Sequence, residues 1–122
     1  MYNKNKSSEF YDQLYEAIAC LKTPEEAKLF IRGLCSYQEI SSFAQRLQVA
    51  KMLVENYVYS DIVDATGTST ATISRVNRSL HDENSGYEIV FKRLGIIDNT
   101  ENNKSIIKED STKKENHNIS ND

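Results

Sequence analysis

The sequence predicts an all-α fold of six helices over residues 9–95, and three observations predict it. Apolar residues recur at helical spacing rather than in strict alternation. The 122 residues hold one proline and four glycines, so little interrupts a helix. Most helix-length stretches are also preceded by a capping residue.

The first helix is expected from about Glu9 to Leu21, where Phe10, Leu14, Ile18 and Leu21 share a face and Tyr11 and Tyr15 widen it. Thr23-Pro24-Glu25-Glu26 is a capping box with proline at the first helical position, opening a second helix to about Leu34. Ser36 followed by Glu39 repeats the device and opens a long helix through about Tyr57, with Ile40, Phe43, Leu47, Ala50, Leu53 and Val54 as its apolar positions. Two short helices meet at Gly67. Ser85-Gly86-Tyr87-Glu88 starts a last helix carrying Ile89, Val90 and Leu94, which Gly95 closes. The apolar residues around the first helices predict a subunit interface, and hence a homodimer.

The flanks differ in composition. Residues 1–8 read as a flexible, polar N-terminus with no apolar leader. Residues 96–122 carry four lysines against six Asp and Glu, and no aromatic residue; this predicts a disordered polar tail rather than a basic arm. No apolar run approaches the roughly 20 residues of a membrane span, and a cytoplasmic location is expected. Cys20 and Cys35 sit among apolar residues without Cys or His neighbours, which predicts buried reduced thiols.

The chemistry of catalysis is missing from the pattern. His81 has no cysteine near it in sequence and is expected to take an N-terminal loop or cap role rather than acid–base work. With Asp82 and Glu83 it makes a poor metal set, so neither an enzyme nor a metal site is expected. There is no Gly-rich phosphate loop.

The informative segment is Tyr59–Leu80. Ile62 and Val63, then Ile73, Val76 and Leu80, supply two inner faces, with Ala65 a small residue beside the first, and Gly67 permits the tight turn between them. Thr68 or Ser69 caps the second helix. Its outer face is then slim and donor-rich: Ser69, Thr70, Ala71, Ser74 and Arg78, with Arg75 and Asn77 toward the sides. A helix entering a major groove needs small side chains near base edges, donors for phosphate, and free N–H groups at its start. The candidate DNA-contacting set is therefore Thr68, Ser69, Thr70, Ala71, Thr72, Ser74 and Arg78. The formal charge of −3 opposes that reading, and within the corner Arg75 and Arg78 are offset by Asp61 and Asp64.

Ala71-Thr-Ile-Ser-Arg75, with Gly67 before it and Asn77 and Ser79-Leu80 after it, resembles the recognition segment of the tryptophan repressor. From Phe10 through Leu94, including Tyr87-Glu-x-Val-Phe-Lys-Arg-Leu94, the chain resembles the tryptophan-repressor-like family called YerC/YecD. The resemblance implies an intertwined homodimer of six-helix subunits that binds palindromic double-stranded DNA, with Thr70, Ala71 and Ser74 facing the bases. It also implies an effector pocket at Ser36, Arg46, Arg75 and Ser79, two arginines sandwiching the ligand in the repressor. Val76 stands where the repressor has a glycine and is expected to intrude on an indole, which argues against tryptophan as corepressor. Asp61 and Asp64 stand where it has basic residues, which predicts weak affinity and a shallow salt dependence. The sequence thus predicts a transcriptional regulator, a repressor by resemblance. The alternative is a dimeric regulatory or protein-interaction adaptor that keeps the scaffold without tight DNA binding.

Overall fold

The computed structural model describes residues 4–98. It shows six helices and, among the described residues, no strand: α1 (Lys4–Ala19), α2 (Pro24–Leu34), α3 (Tyr37–Val54), α4 (Tyr59–Thr66), α5 (Thr70–Leu80) and α6 (Gly86–Arg93). By internal packing the chain divides into two units, residues 1–40 and 41–122.

In the first unit, α1 starts at Lys4, so residues 4–8, expected to be flexible, are helical. No glycine or proline stands between Lys4 and Glu9 to stop the helix at Glu9. The start of α2 follows the Thr23-Pro24 signal. The Thr23 hydroxyl accepts the Glu26 N–H at 3.1 Å, and the Glu26 carboxylate accepts the Lys22 N–H at 2.9 Å. At the start of α3 the box closes on itself: the Ser36 hydroxyl accepts the Glu39 N–H at 3.1 Å, and Glu39 accepts the Ser36 N–H at 2.8 Å. The backbone hydrogen bond from Ser36, followed by its hydroxyl, holds the Glu39 carboxyl below its ordinary range. The carboxylate half of the cap is thus complete above the usual glutamate pKa and weakens as pH falls through the lowered one, while the Ser36 hydroxyl half does not titrate.

No described side chain of this first unit is buried. Phe10, Tyr11, Tyr15 and Ile18 on α1 are 45–63% exposed, and Leu29 on α2 is 69% exposed. Cys20 is exposed and Cys35 half-buried, both free thiols, which corrects the expectation of buried cysteines. The residues around them are apolar, but one chain leaves those residues uncovered.

The core lies in the second unit. Val49, Ala50, Met52 and Leu53 of α3 join Ile62 of α4, Ile73, Val76 and Leu80 of α5, and Phe91 of α6. In this unit α4 packs on α5 and α5 on α6. Phe43 and Leu47, two of the apolar positions of α3, stay about half exposed on the single chain.

Two chain reversals frame this unit. At the end of α3, Tyr57 N–H bonds to the Met52 carbonyl and Asn56 N–H to that of Leu53, with Asn56 at φ 72°. That is a Schellman ending with asparagine in the left-handed position, so α3 stops at Val54, short of Tyr57. At the end of α6 the same motif recurs with Gly95 at φ 74°, and Ile96 N–H bonds to the Phe91 carbonyl at 2.8 Å. Ile96 and Ile97, assigned to the tail from sequence, therefore pack against the core. The remainder of the expected tail, from residue 99, lies outside the described residues.

Candidate nucleic-acid interface

The corner forms because α4 cannot continue past Gly67. That residue sits at φ 72°, its N–H closes onto the Val63 carbonyl at 2.8 Å, and a side chain there would be strained in the left-handed conformation. Around it the threonines make a compact network. The Thr66 hydroxyl donates to the Ile62 carbonyl at 2.7 Å and pairs with the Thr68 hydroxyl at 2.6 Å. Thr68 is buried, its hydroxyl turned into this network. It was expected to touch DNA, and it is removed from that set: a group spent on the turn cannot reach a groove.

Ser69 caps α5, accepting the Thr72 N–H at 3.2 Å and donating its own proton to the Thr72 hydroxyl at 3.1 Å. Beyond the cap, Ile73, Val76 and Leu80 are buried. Opposite them Ser69, Thr70, Ala71, Ser74, Arg75 and Arg78 are exposed, and Thr72 is half-buried. The outward face is thus as slim as the sequence reading required. At the far end His81 is the C-cap of α5, and its Nδ1 lies 2.8 Å from the Asn77 carbonyl, which can only accept. Asp61 and Asp64 of α4 are both exposed.

Within the second unit, the expected effector-pocket residues Arg46, Arg75 and Ser79 do not line one cavity. Arg46 and Arg75 line a cleft of about 410 Å³ with Ser42, Gln45, Thr68 and Thr72. The Arg46 guanidinium carbon lies 5.1 Å from the centre of the Phe43 ring, a cation–π arrangement. Ser79 opens instead onto a largely apolar hollow of about 530 Å³ with Leu47, Tyr87 and Val90. Ser36 belongs to the first unit, where its hydroxyl caps α3. Val76 was expected to intrude on the ligand space. It packs in the core instead and does not line the arginine cleft, because its position on α5 faces inward with Ile73 and Leu80.

One residue of this region carried no signal in the sequence. The Gln45 amide of α3 donates to the Thr66 carbonyl at 3.0 Å, across 21 positions of chain. Among the described residues there is no cluster of three His, Cys, Asp or Glu that could hold a metal, and no helix is long and apolar enough to cross a membrane.

A buried corner with an exposed, capped second helix defines a helix-turn-helix protein. Residues 9–95 match the family model described as Trp repressor protein. The chain belongs to the Trp repressor family. It is 49% identical over 83 residues to the uncharacterized protein YerC of Bacillus subtilis (strain 168), a match spanning 68% of this chain and 80% of that one. A solved TrpR-like protein from Eubacterium eligens ATCC 27750 superposes with a TM-score of 0.70 at 49% identity, covering 79% of this chain and 99% of that one. A solved Trp repressor candidate from Staphylococcus aureus gives 0.69 at 41% identity, covering 80% and 100%.

Proposed function

We propose that this protein is a sequence-specific, double-stranded DNA-binding transcriptional regulator, a repressor, that acts as a cytoplasmic homodimer. The observation that carries the reading is the face of α5. Thr70, Ala71, Ser74 and Arg78 are exposed above a row of buried Ile73, Val76 and Leu80, on a helix whose start Ser69 caps. Short side chains let the helix approach base edges, and Arg78 supplies the donor a phosphate or guanine needs. Family membership supports the same use of the corner.

Dimerisation rests on the first unit, where exposed Phe10, Tyr11, Tyr15 and Ile18 bring α1 no buried contact of its own. A second copy of the chain supplies the missing cover. Two recognition helices related by a two-fold axis then meet half-sites about 34 Å apart, one helical turn of DNA.

Fluorescence anisotropy against genomic fragments tests the reading. Saturable, fragment-selective binding is expected, and Arg78→Glu is expected to weaken it about a hundredfold, because it removes a donor and places an acid against the backbone. Equal, weak binding to every fragment would favour the adaptor, the reading that exposed Asp61 and Asp64 support.

The Arg46–Arg75 cleft is the place for an effector. Its lining of hydroxyls, an amide and two guanidinium groups suits a polar anion better than an indole. Calorimetry with tryptophan is expected to show no heat beyond dilution at micromolar ligand; a saturable isotherm would reverse this assignment.

A further inference from the structure

We propose that Gln45 is a positioning residue for the recognition helix, a proposal that rests on the DNA-binding reading. The core fixes the C-terminal half of α3 against the corner, beginning at Val49 and Ala50. Those contacts are apolar and non-directional, and they act on the inner faces of the corner rather than on its turn. Gln45 lies one helical turn before Val49 and carries the attachment beyond the core. Its amide donates to the carbonyl of Thr66, the last residue of α4, at 3.0 Å.

That carbonyl is one of the groups a helix end leaves without an intrahelical donor. Thr66 is also the centre of the turn's own network, through Ile62 and Thr68. Three residues further on, Ser69 caps the start of α5. A directional bond from α3 therefore acts at the point where the direction of α5 is set. Angular precision matters here because base-edge contacts tolerate little displacement, whereas contacts to phosphate by charge tolerate more. The role is specific to position: Gln48, on the same helix and exposed like Gln45, makes no such bond.

The distinguishing experiment compares Gln45→Met, which keeps length and helix propensity but removes the donor, with Gln48→Met as the control. Affinity is measured for a selected fragment and for non-specific duplex, and amide hydrogen exchange is followed at residues 67–72. Gln45→Met is expected to weaken selective binding about fivefold while leaving non-specific binding and the thermal midpoint unchanged, and to speed exchange at the turn. Gln48→Met is expected to do none of these. A simple loss of folded protein would lower both affinities together. Unchanged exchange at the turn in Gln45→Met, or equal loss of selective and non-specific binding, would overturn the proposal. Faster exchange in a protein whose unaltered form binds no duplex selectively would leave the tether standing and sink the DNA-binding reading instead.

Discussion

Phe91→Ala is expected to destabilise the second unit by about 3–5 kcal/mol, the range for deleting a buried aromatic ring. Phe91 is 1% exposed and heads the largest fully buried side chains of the core. Its ring centre lies 5.8 Å from that of Tyr87, tilted by 39°. Its carbonyl takes the N–H groups of Ile96 and Ile97, which end α6 and return the chain onto the core. The substitution opens a cavity at the place where α6 attaches and loosens Tyr87, Ile96 and Ile97 with it. Urea unfolding followed by helical circular dichroism, at matched protein concentration because an assembly's stability depends on it, measures the loss. A change below about 1 kcal/mol would mean that the site collapses around the alanine and that α6 is not anchored by this ring.

The second large effect falls on the first unit. Tyr15→Asp combined with Ile18→Asp is expected to convert the dimer to monomer in sedimentation equilibrium and to lower the helical signal. Tyr11, Tyr15 and Ile18 lie at i, i+4 and i+7, one stripe of α1, and all three are 45–63% exposed on the single chain. Aromatic anchors at the centre of an interface cost about 2–4 kcal/mol each when removed, and a charge in their place must be desolvated as well. An unaltered protein that sediments at the mass of one chain would refute the proposed assembly. A double variant that still sediments as a dimer would place the interface elsewhere.

The architecture was legible where local signals dominate. Thr23-Pro24, Ser36 with Glu39, and Ser69 cap their helices by side-chain hydrogen bonds that span three residues, so spacing alone reveals them. Gly67 and Gly95 mark turns for an equally local reason, a positive φ. Asn56 uses the same conformation, but asparagine is common enough outside turns that α3 was extended past it. The inward and outward faces of α5 followed from its period of 3.6 residues. Thr68 precedes the helix, where that period does not apply, and its pairing with Thr66 turned it inward. The exposure of Phe43, Leu47 and Cys20 was illegible because an apolar pattern shows that a residue seeks cover without showing whether its own chain provides it. Gln45 was missed because its partner is a backbone carbonyl 21 residues away, and only the packing of α3 against the corner brings the two together.

Selection from a library of random duplexes, read by sequencing, tests most directly whether the α5 face reads bases. The expected result is one enriched motif with two inverted half-sites centred about 10 base pairs apart, and a shift in preference at symmetric positions of both half-sites when Ala71→Asn offers an amide to the groove. A library that returns no motif, or the same motif at every position from Ala71→Asn, would contradict the assignment of that face to DNA.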